Sequence, residues 1–332
     1  MLSFQKVVAN NPALDVPVHP QLAPLGTPQA ETRPQRENGS EALRVLDLRK
    51  TFRSGFLRRR QRGIDGVSFT VNRGEVFALL GHNGAGKTTT INCILDLMRA
   101  DGGRVQILGQ DNTAVKSRSR VGYLPERPYF FEHLSGRELL HFYAGLLDVP
   151  PAERNIQVDS VLQRTGMSAA AGRPLRKYSK GMLQRIGLAQ SLLGDPELLI
   201  MDEPMSGLDP VGRREVRQLL QELRQEGRTI ILSSHIVPDV EMLADKVGIL
   251  CEGRMVETCD MRRLHLENSY EIRLRNTDAA TGAETLTVRD VDSLGDKLLE
   301  VRRDGRTVLS VETRRSGLED MFMKIHDSRR GN

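Results

Sequence analysis

The 332-residue chain reads as an α/β fold built on a mainly parallel sheet, and two observations predict it. Apolar runs recur at Val76-Phe77-Ala78-Leu79-Leu80, Leu198-Leu199-Ile200-Met201-Asp202, Thr229-Ile230-Ile231-Leu232 and Val247-Gly248-Ile249-Leu250, with helix-period stretches between them. Strands apolar on both faces and separated by helices imply a parallel sheet covered on both sides. The first run also leads into Gly81-His82-Asn83-Gly84-Ala85-Gly86-Lys87-Thr88, and a helical pattern leaves it from Lys87 through Ile91, Ile94, Leu95 and Met98. That octapeptide fits G-x-x-x-x-G-K-[ST], in which backbone N–H groups surround phosphates, the lysine reaches the outer phosphates and the hydroxyl ligates Mg²⁺. Unpaired amides and the dipole at the helix start favour negative charge there.

The remaining elements follow in chain order. Residues 1–40 are rich in Pro, Gln, Ala and Asn without periodicity, and are predicted to be disordered because they bury too little to offset chain entropy. Alternation at Leu43-Arg44-Val45-Leu46-Asp47-Leu48 and at Val67 to Val71 predicts two strands of an N-terminal antiparallel β portion. Between them Arg58-Arg59-Arg60-Gln61-Arg62 reads as a solvated loop, with lipid headgroups or the surroundings of a nucleotide as other uses. Helical patterns at Leu134 to Leu147, Ala152 to Gly166 and Met182 to Leu193 predict an inserted helical block at about 127–195, and a charged helix runs from Arg213 to Arg224. After about Glu267, strands at Tyr270 to Arg275 and Val308 to Glu312 and a closing helix predict a small α+β extension. Leu318, Met321, Phe322 and Ile325 share one face of that helix and read as the extension's own core, with a partner-binding surface as the alternative. The expected division is 1–40, 41–266 and 267–332.

The net charge of +5 comes from 48 basic and 43 acidic residues, so the chain carries no polybasic coat. Such a charge suits an anionic membrane face and does not require nucleic acid. Cys93, Cys251 and Cys259 form no C-x-x-C pair and are expected as reduced thiols of a cytosolic protein. No run approaches 18 apolar residues, and the first residues lack a charged segment followed by a long apolar core. Neither a spanning helix nor a signal peptide is therefore expected.

Two further motifs carry chemistry. The run ending at Asp202-Glu203 sets two carboxylates at a strand end, where Asp202 can organise Mg²⁺ and Glu203 can take a proton from an attacking water. Ser233-Ser234-His235 would bring His235 to the same sheet edge, where ligands of open α/β folds bind and an imidazole can stabilise phosphate or hold water.

Taken in order, GHNGAGKT, GYLPE at Gly122 to Glu126, YSKGM at Tyr178 to Met182, LLIMDEP at Leu198 to Pro204, SGLD at Ser206-Gly207-Leu208-Asp209 and His235 resemble the ATP-binding subunit of ABC transporters. The resemblance spans about Leu43 to Glu257, and is nearest to the branch serving exporters of drugs, sodium or polysaccharide. It implies a P-loop NTPase core, ATP and Mg²⁺ as cofactors, ATP hydrolysis, a separate membrane permease and a second ATPase chain, either a copy or a relative. It also implies a place at the inner face of the cell membrane, with no nucleic-acid partner.

Residue by residue, the resemblance implies that the loop from Gly81 to Thr89 binds ATP, with Lys87 at the β- and γ-phosphates. Thr88, Asp202 and Glu126 would hold Mg²⁺, Glu203 would act as base and His235 as a switch. Ser179-Lys180-Gly181-Met182 would face the nucleotide of the opposite subunit, Ser206 to Asp209 would form the adjoining loop, and Phe52 would stack on adenine.

Two departures from the family pattern matter, one at Glu126 and one in the signature, which reads Tyr-Ser-Lys-Gly-Met where Leu-Ser-Gly-Gly-Gln is commonest. Glu126 stands where many relatives carry glutamine, adding charge near the phosphates. Lys180 stands where glycine is common, either as a cation near the partner's γ-phosphate or as a solvated lysine. The rival reading is a soluble ABC ATPase acting on nucleic acid or the ribosome. Its known forms insert a coiled coil or zinc modules, or carry two cassettes in tandem, and neither pattern occurs in this sequence. A non-ABC phosphate-loop kinase would leave YSKGM and SGLD unexplained.

Overall fold

The computed structural model describes residues 41–54, 59–264, 268–275, 284–288, 291–315, 317–319, 321–323 and 325. The segment 1–40, expected to be disordered, lies outside the described residues. Among those described, the strands form three sheets.

The central sheet has the order β10-β9-β3-β8-β7-β6. Its members are β3 (Val76–Leu80), β6 (Val121–Leu124), β7 (Leu198–Met201), β8 (Thr229–Ser234), β9 (Lys246–Cys251) and β10 (Arg254–Asp260). All pairings are parallel except the edge pair of β9 and β10. The apolar runs are explained by burial on both faces: Phe77, Leu79, Leu198, Ile200 and Ile231 enter one cluster, and Val76, Ala78, Leu80, Leu199, Met201, Ile230 and Leu232 the other. This is the two-residue period of a strand written without a polar face.

The first cluster is closed by an antiparallel sheet of order β2-β1-β4-β5, made from β1 (Glu41–Ser54), β2 (Arg59–Asn72), β4 (Gly102–Ile107) and β5 (Gln110–Asp111). Leu43, Val45, Leu48, Ile64, Val67 and Val71 face the central sheet, and Phe69 stacks on Phe77 with ring centroids 4.8 Å apart. α1 (Lys87–Ile94) lies in the same cluster through Ile91, Cys93 and Ile94. It stops earlier than the apolar pattern to Met98 suggests. Arg59 to Arg62 correct the expectation of a solvated loop, because they open β2 and pair with the end of β1. A continuing antiparallel ladder satisfies their backbone, and charged residues suit such an outer end. Arg58 is outside the described residues.

The opposite cluster is closed by helices. α2 (Val115–Arg118) precedes β6, and then α3 (Gly136–Leu146), α4 (Pro151–Arg164) and α5 (Lys180–Ser191) form the inserted block. α3 starts at a capping box, with Ser135 accepting from the Glu138 amide and Glu138 accepting from the Ser135 amide, so two orphan amides are satisfied reciprocally. α6 (Pro210–Gln225) and α7 (Val237–Leu243) cover the sheet beyond it. Cys93, Cys251 and Cys259 are free thiols, and burial pushes those of Cys93 and Cys259 up to about 11. No helix among the described residues is long and apolar enough to cross a membrane.

After α8 (Met261–Leu264), the third sheet has the order β12-β11-β13, from β11 (Asn268–Leu274), β12 (Glu284–Val288) and β13 (Val308–Arg315), with α9 (Val291–Arg303) against it. Ile272, Leu274 and Val301 form its own small cluster. The helical segment after β13 does not join that cluster. Leu318 and Phe322 are buried in the main helical-side core, with Met321 and Ile325 packed against it. Amphipathic period reveals that a face is covered, but not by which neighbour.

Candidate functional site

The strand ends of β3, β7 and β8 bring separate motifs to one cavity of about 420 Å³, lined by Phe52, Gly63, His82, Asn83, Gly84, Gly86, Lys87, Thr88, Thr89, Glu126, Glu203, Ser206 and His235. Parallel register aligns them, with Leu80 opposite Ser234 and Met201 opposite Leu232. Gly81 and Ala85 are buried in the loop's base, where the Gly81 amide donates to the Ser234 carbonyl at 3.2 Å. Gly86 has φ 106°, and a side chain there would press within 2.9 Å of Ile64, so the turn into α1 requires glycine.

Lys87 is buried. Its Nζ donates to the carbonyls of Gly81 at 2.7 Å and His82 at 3.3 Å, and lies 3.2 Å from Glu203 Oε1. A low-dielectric ammonium needs such partners.

Asp202 is fully buried. Its Oδ1 accepts from Ser233 Oγ at 2.5 Å, and its Oδ2 has no hydrogen-bond partner. Burial pushes its carboxyl above the ordinary range; the hydroxyls of Ser233 and Thr88 oppose this, and the charges of Glu203 and Glu126 add to it.

Glu203 is buried with φ 50°, a left-handed backbone that costs a non-glycine residue about 1–2 kcal/mol. Its amide donates to Ser233 Oγ at 2.8 Å, so one hydroxyl holds both acidic residues. Both carboxylate oxygens lie 3.0 Å from His235 Nδ1, which binds them together with Lys87. Strain at such a position fits a group whose direction matters more than its local stability.

Glu126 is exposed at the cavity rim, 3.9 Å from Arg127. The Phe52 ring stands against Gly63, where an added methyl would come within 2.4 Å of Cε2.

The structure does not bring Ser179, Lys180, Gly181 and Met182 to this cavity. Ser179 caps α5, accepting from the Met182 amide at 3.2 Å. The Lys180 chain lies over Gly207, where a methyl would meet its Cε at 2.4 Å, and Gly181 faces Leu208. Asp209 caps α6 by accepting from the Gly212 amide at 2.9 Å. The signature turn and the Ser206 to Asp209 loop therefore form a second group, touching the first through Ser206. Gln184 on α5 adds a buried link, donating to the Pro204 carbonyl at 3.1 Å.

Three contributors were not singled out from sequence. Ser233 had a readable signal, a hydroxyl at a strand end two residues before His235. Gly63 and Gln184 had none, because their roles arise from contacts with distant residues.

A family model described as "ABC transporter" matches residues 64–206. An uncharacterized ABC transporter ATP-binding protein of Nostoc sp. is 38% identical over 302 residues, 86% of this chain and 90% of that protein. The bacitracin transport ATP-binding protein BcrA of Bacillus licheniformis is 32% identical over 86% of this chain and 97% of its own length. A fluoroquinolones export ATP-binding protein of Mycobacterium tuberculosis is 34% identical over 86% and 94%. Among solved structures, an ATP-binding subunit of an ABC transporter matches with TM-score 0.60 and 31% identity, over 68% of this chain and 92% of that one. A dimeric ATP-binding cassette in a post-hydrolysis state with ADP and Pi shares the fold at TM-score 0.61 and 19% identity, over 66% and 99%. The chain belongs to the ABC transporter family, as one of its ATP-hydrolysing, ATP-binding subunits.

Proposed function

We propose that the chain binds ATP in the cavity between Phe52, the Gly81 to Thr89 loop and His235, hydrolyses it at Glu203, and thereby drives export through a separate membrane permease. The observation that carries this reading is the convergence of Lys87, Glu203 and His235 within 3.2 Å contacts, beside Thr88 and the buried Asp202. The name of the fluoroquinolones export relative supports the direction of transport.

Mg²⁺ fits the residues present. Thr88, Asp202 and Glu126 offer hard oxygens, and the unpartnered Asp202 Oδ2 is a buried acceptor suited to a cation or its water. When bound, the ion would neutralise phosphate charge. Lys87 would turn its ammonium from the Gly81 and His82 carbonyls to the outer phosphates, and Phe52 would stack on the base. Glu203, oriented by His235, would accept the proton as water oxygen bonds to the γ-phosphorus and the β–γ bridging bond breaks, with ADP taking the bond's electrons.

Ser179 to Met182 lie outside the cavity of their own chain and serve that of a second ATPase chain, so that two ATPs close a dimer and hydrolysis opens it. Residues 41–266 act as the ATPase unit, 127–195 as its helical part and 267–332 as an extension. The subunit works at the inner membrane face through the permease. Tagged protein recovered from detergent-solubilised membranes is expected to bring a membrane protein of about six apolar spans; recovery of ribosomes or DNA alone would overturn the reading.

A further inference from the structure

We infer that Phe322, near the far end of the chain, is a positioning residue for the ATP site, holding the His82 imidazole and through it the phosphate loop. The inference rests on the loop being where ATP binds.

The Phe322 and His82 rings have centroids 4.7 Å apart and planes inclined by 36°. Phe322 is 7% exposed, whereas His82 is exposed on the phosphate loop and lines the cavity. The helical segment bearing Phe322 is fastened on two further sides. The Leu318 amide donates to Glu241 Oε1 on α7 at 3.0 Å, and the Met321 sulfur lies 3.2 Å from the Cys259 thiol on β10. Leu318 itself is fully buried in the main core. The segment therefore connects the loop after β3 with the helix that follows His235.

His82 matters through its peptide. Its carbonyl accepts from the Ala85 amide at 3.0 Å and from Lys87 Nζ at 3.3 Å, so it sets both the curl of the loop and the resting place of the lysine. A glycine-rich loop has little side-chain packing of its own to hold that peptide. An aromatic contact at this spacing supplies it from outside, and the binding geometry of the phosphates depends on where the loop amides point.

The test uses the full-length protein and a double-mutant cycle, with KM for ATP, kcat and Tm measured for Phe322→Leu, His82→Ala and both together. Phe322→Leu keeps an apolar side chain in the core, so the segment stays docked while the ring contact goes. KM should rise about three- to tenfold, with kcat within about twofold. That rise should disappear in the His82→Ala background, and Phe322→Tyr should restore the original KM.

A KM effect of equal size in both backgrounds would overturn the inference, as would a loss of Tm with KM unchanged. Lys87→Ala, measured alongside, separates the two layers. If it binds ATP as tightly as the parent, the loop itself is misread. If it loses binding while Phe322 and His82 act independently, the positioning role alone fails.

Discussion

The phosphate cavity and the signature turn use similar residues and are built to opposite plans. In the cavity Lys87, Asp202 and Glu203 are buried, and Ser233, His235 and the loop carbonyls answer most of their polar atoms from within the chain. At the signature turn Ser179 and Lys180 are exposed, and the Ser179 hydroxyl serves as a helix cap, accepting from the Met182 amide. A buried polar cluster must be satisfied where it stands. An exposed, capped helix start can wait for a ligand from outside. On the proposed function, the difference teaches that one chain organises the chemistry of its own nucleotide and offers its signature turn to that of another.

The comparison is broken most severely at Glu203. Glu203→Gln keeps a hydrogen-bonding group against His235 but removes the proton acceptor. Steady-state hydrolysis should fall by about 10²–10⁴, with ATP affinity retained and dimers accumulating on size-exclusion chromatography. Hydrolysis near the original rate would remove Glu203 from its assigned role.

The other half is probed by Ser179→Asn. Asparagine also caps helices, so α5 should keep the roughly 1 kcal/mol that a cap contributes, while the hydroxyl is lost from the exposed turn. Hydrolysis should drop about tenfold and ATP binding to the dilute chain should stay unchanged. A weakened affinity in the dilute chain would place Ser179 at its own nucleotide and erase the distinction.

The smallest expected effect concerns stability. Asp202→Asn should raise the Tm of the protein without added nucleotide at neutral pH, by the equivalent of about 1 kcal/mol, because a buried carboxylate with an unpartnered oxygen is removed. Since the folded state raises the Asp202 pKa, its protonated form favours folding at low pH. The parent loses that contribution as pH rises through the folded value. The advantage of the asparagine should therefore shrink as pH falls towards the ordinary carboxylate range. A Tm lowered at neutral pH would show that the charge is compensated in the fold.

Much of this was legible along the chain because its signals are local. Unbroken apolar runs announced β3, β7, β8 and β9, and the glycines of the loop announced a turn between a strand and a helix. The segment from Gly102 to Arg118 escaped, since β4 and β5 form the edge of the antiparallel sheet and are mostly polar, with Val105 and Ile107 of β4 reaching the core. Arg59 to Arg62 resembled a loop because nothing local records that β1 continues beside them. The same limit explains Phe322: its helical period showed a covered face, but the contact with His82 joins residues 240 positions apart. Likewise, the left-handed backbone of Glu203 and the double use of Ser233 are consequences of assembly around the strand ends.

The division between the two regions is tested most directly by mixing two inactive variants, Lys87→Ala and Ser179→Arg. In a mixed dimer, the loop of the Ser179 variant meets the intact turn of the Lys87 variant, so one composite site is whole. Mixing should restore ATP hydrolysis that neither protein has alone. Full activity of the Ser179 variant by itself, or no recovery in mixtures shown to contain mixed dimers, would contradict the account.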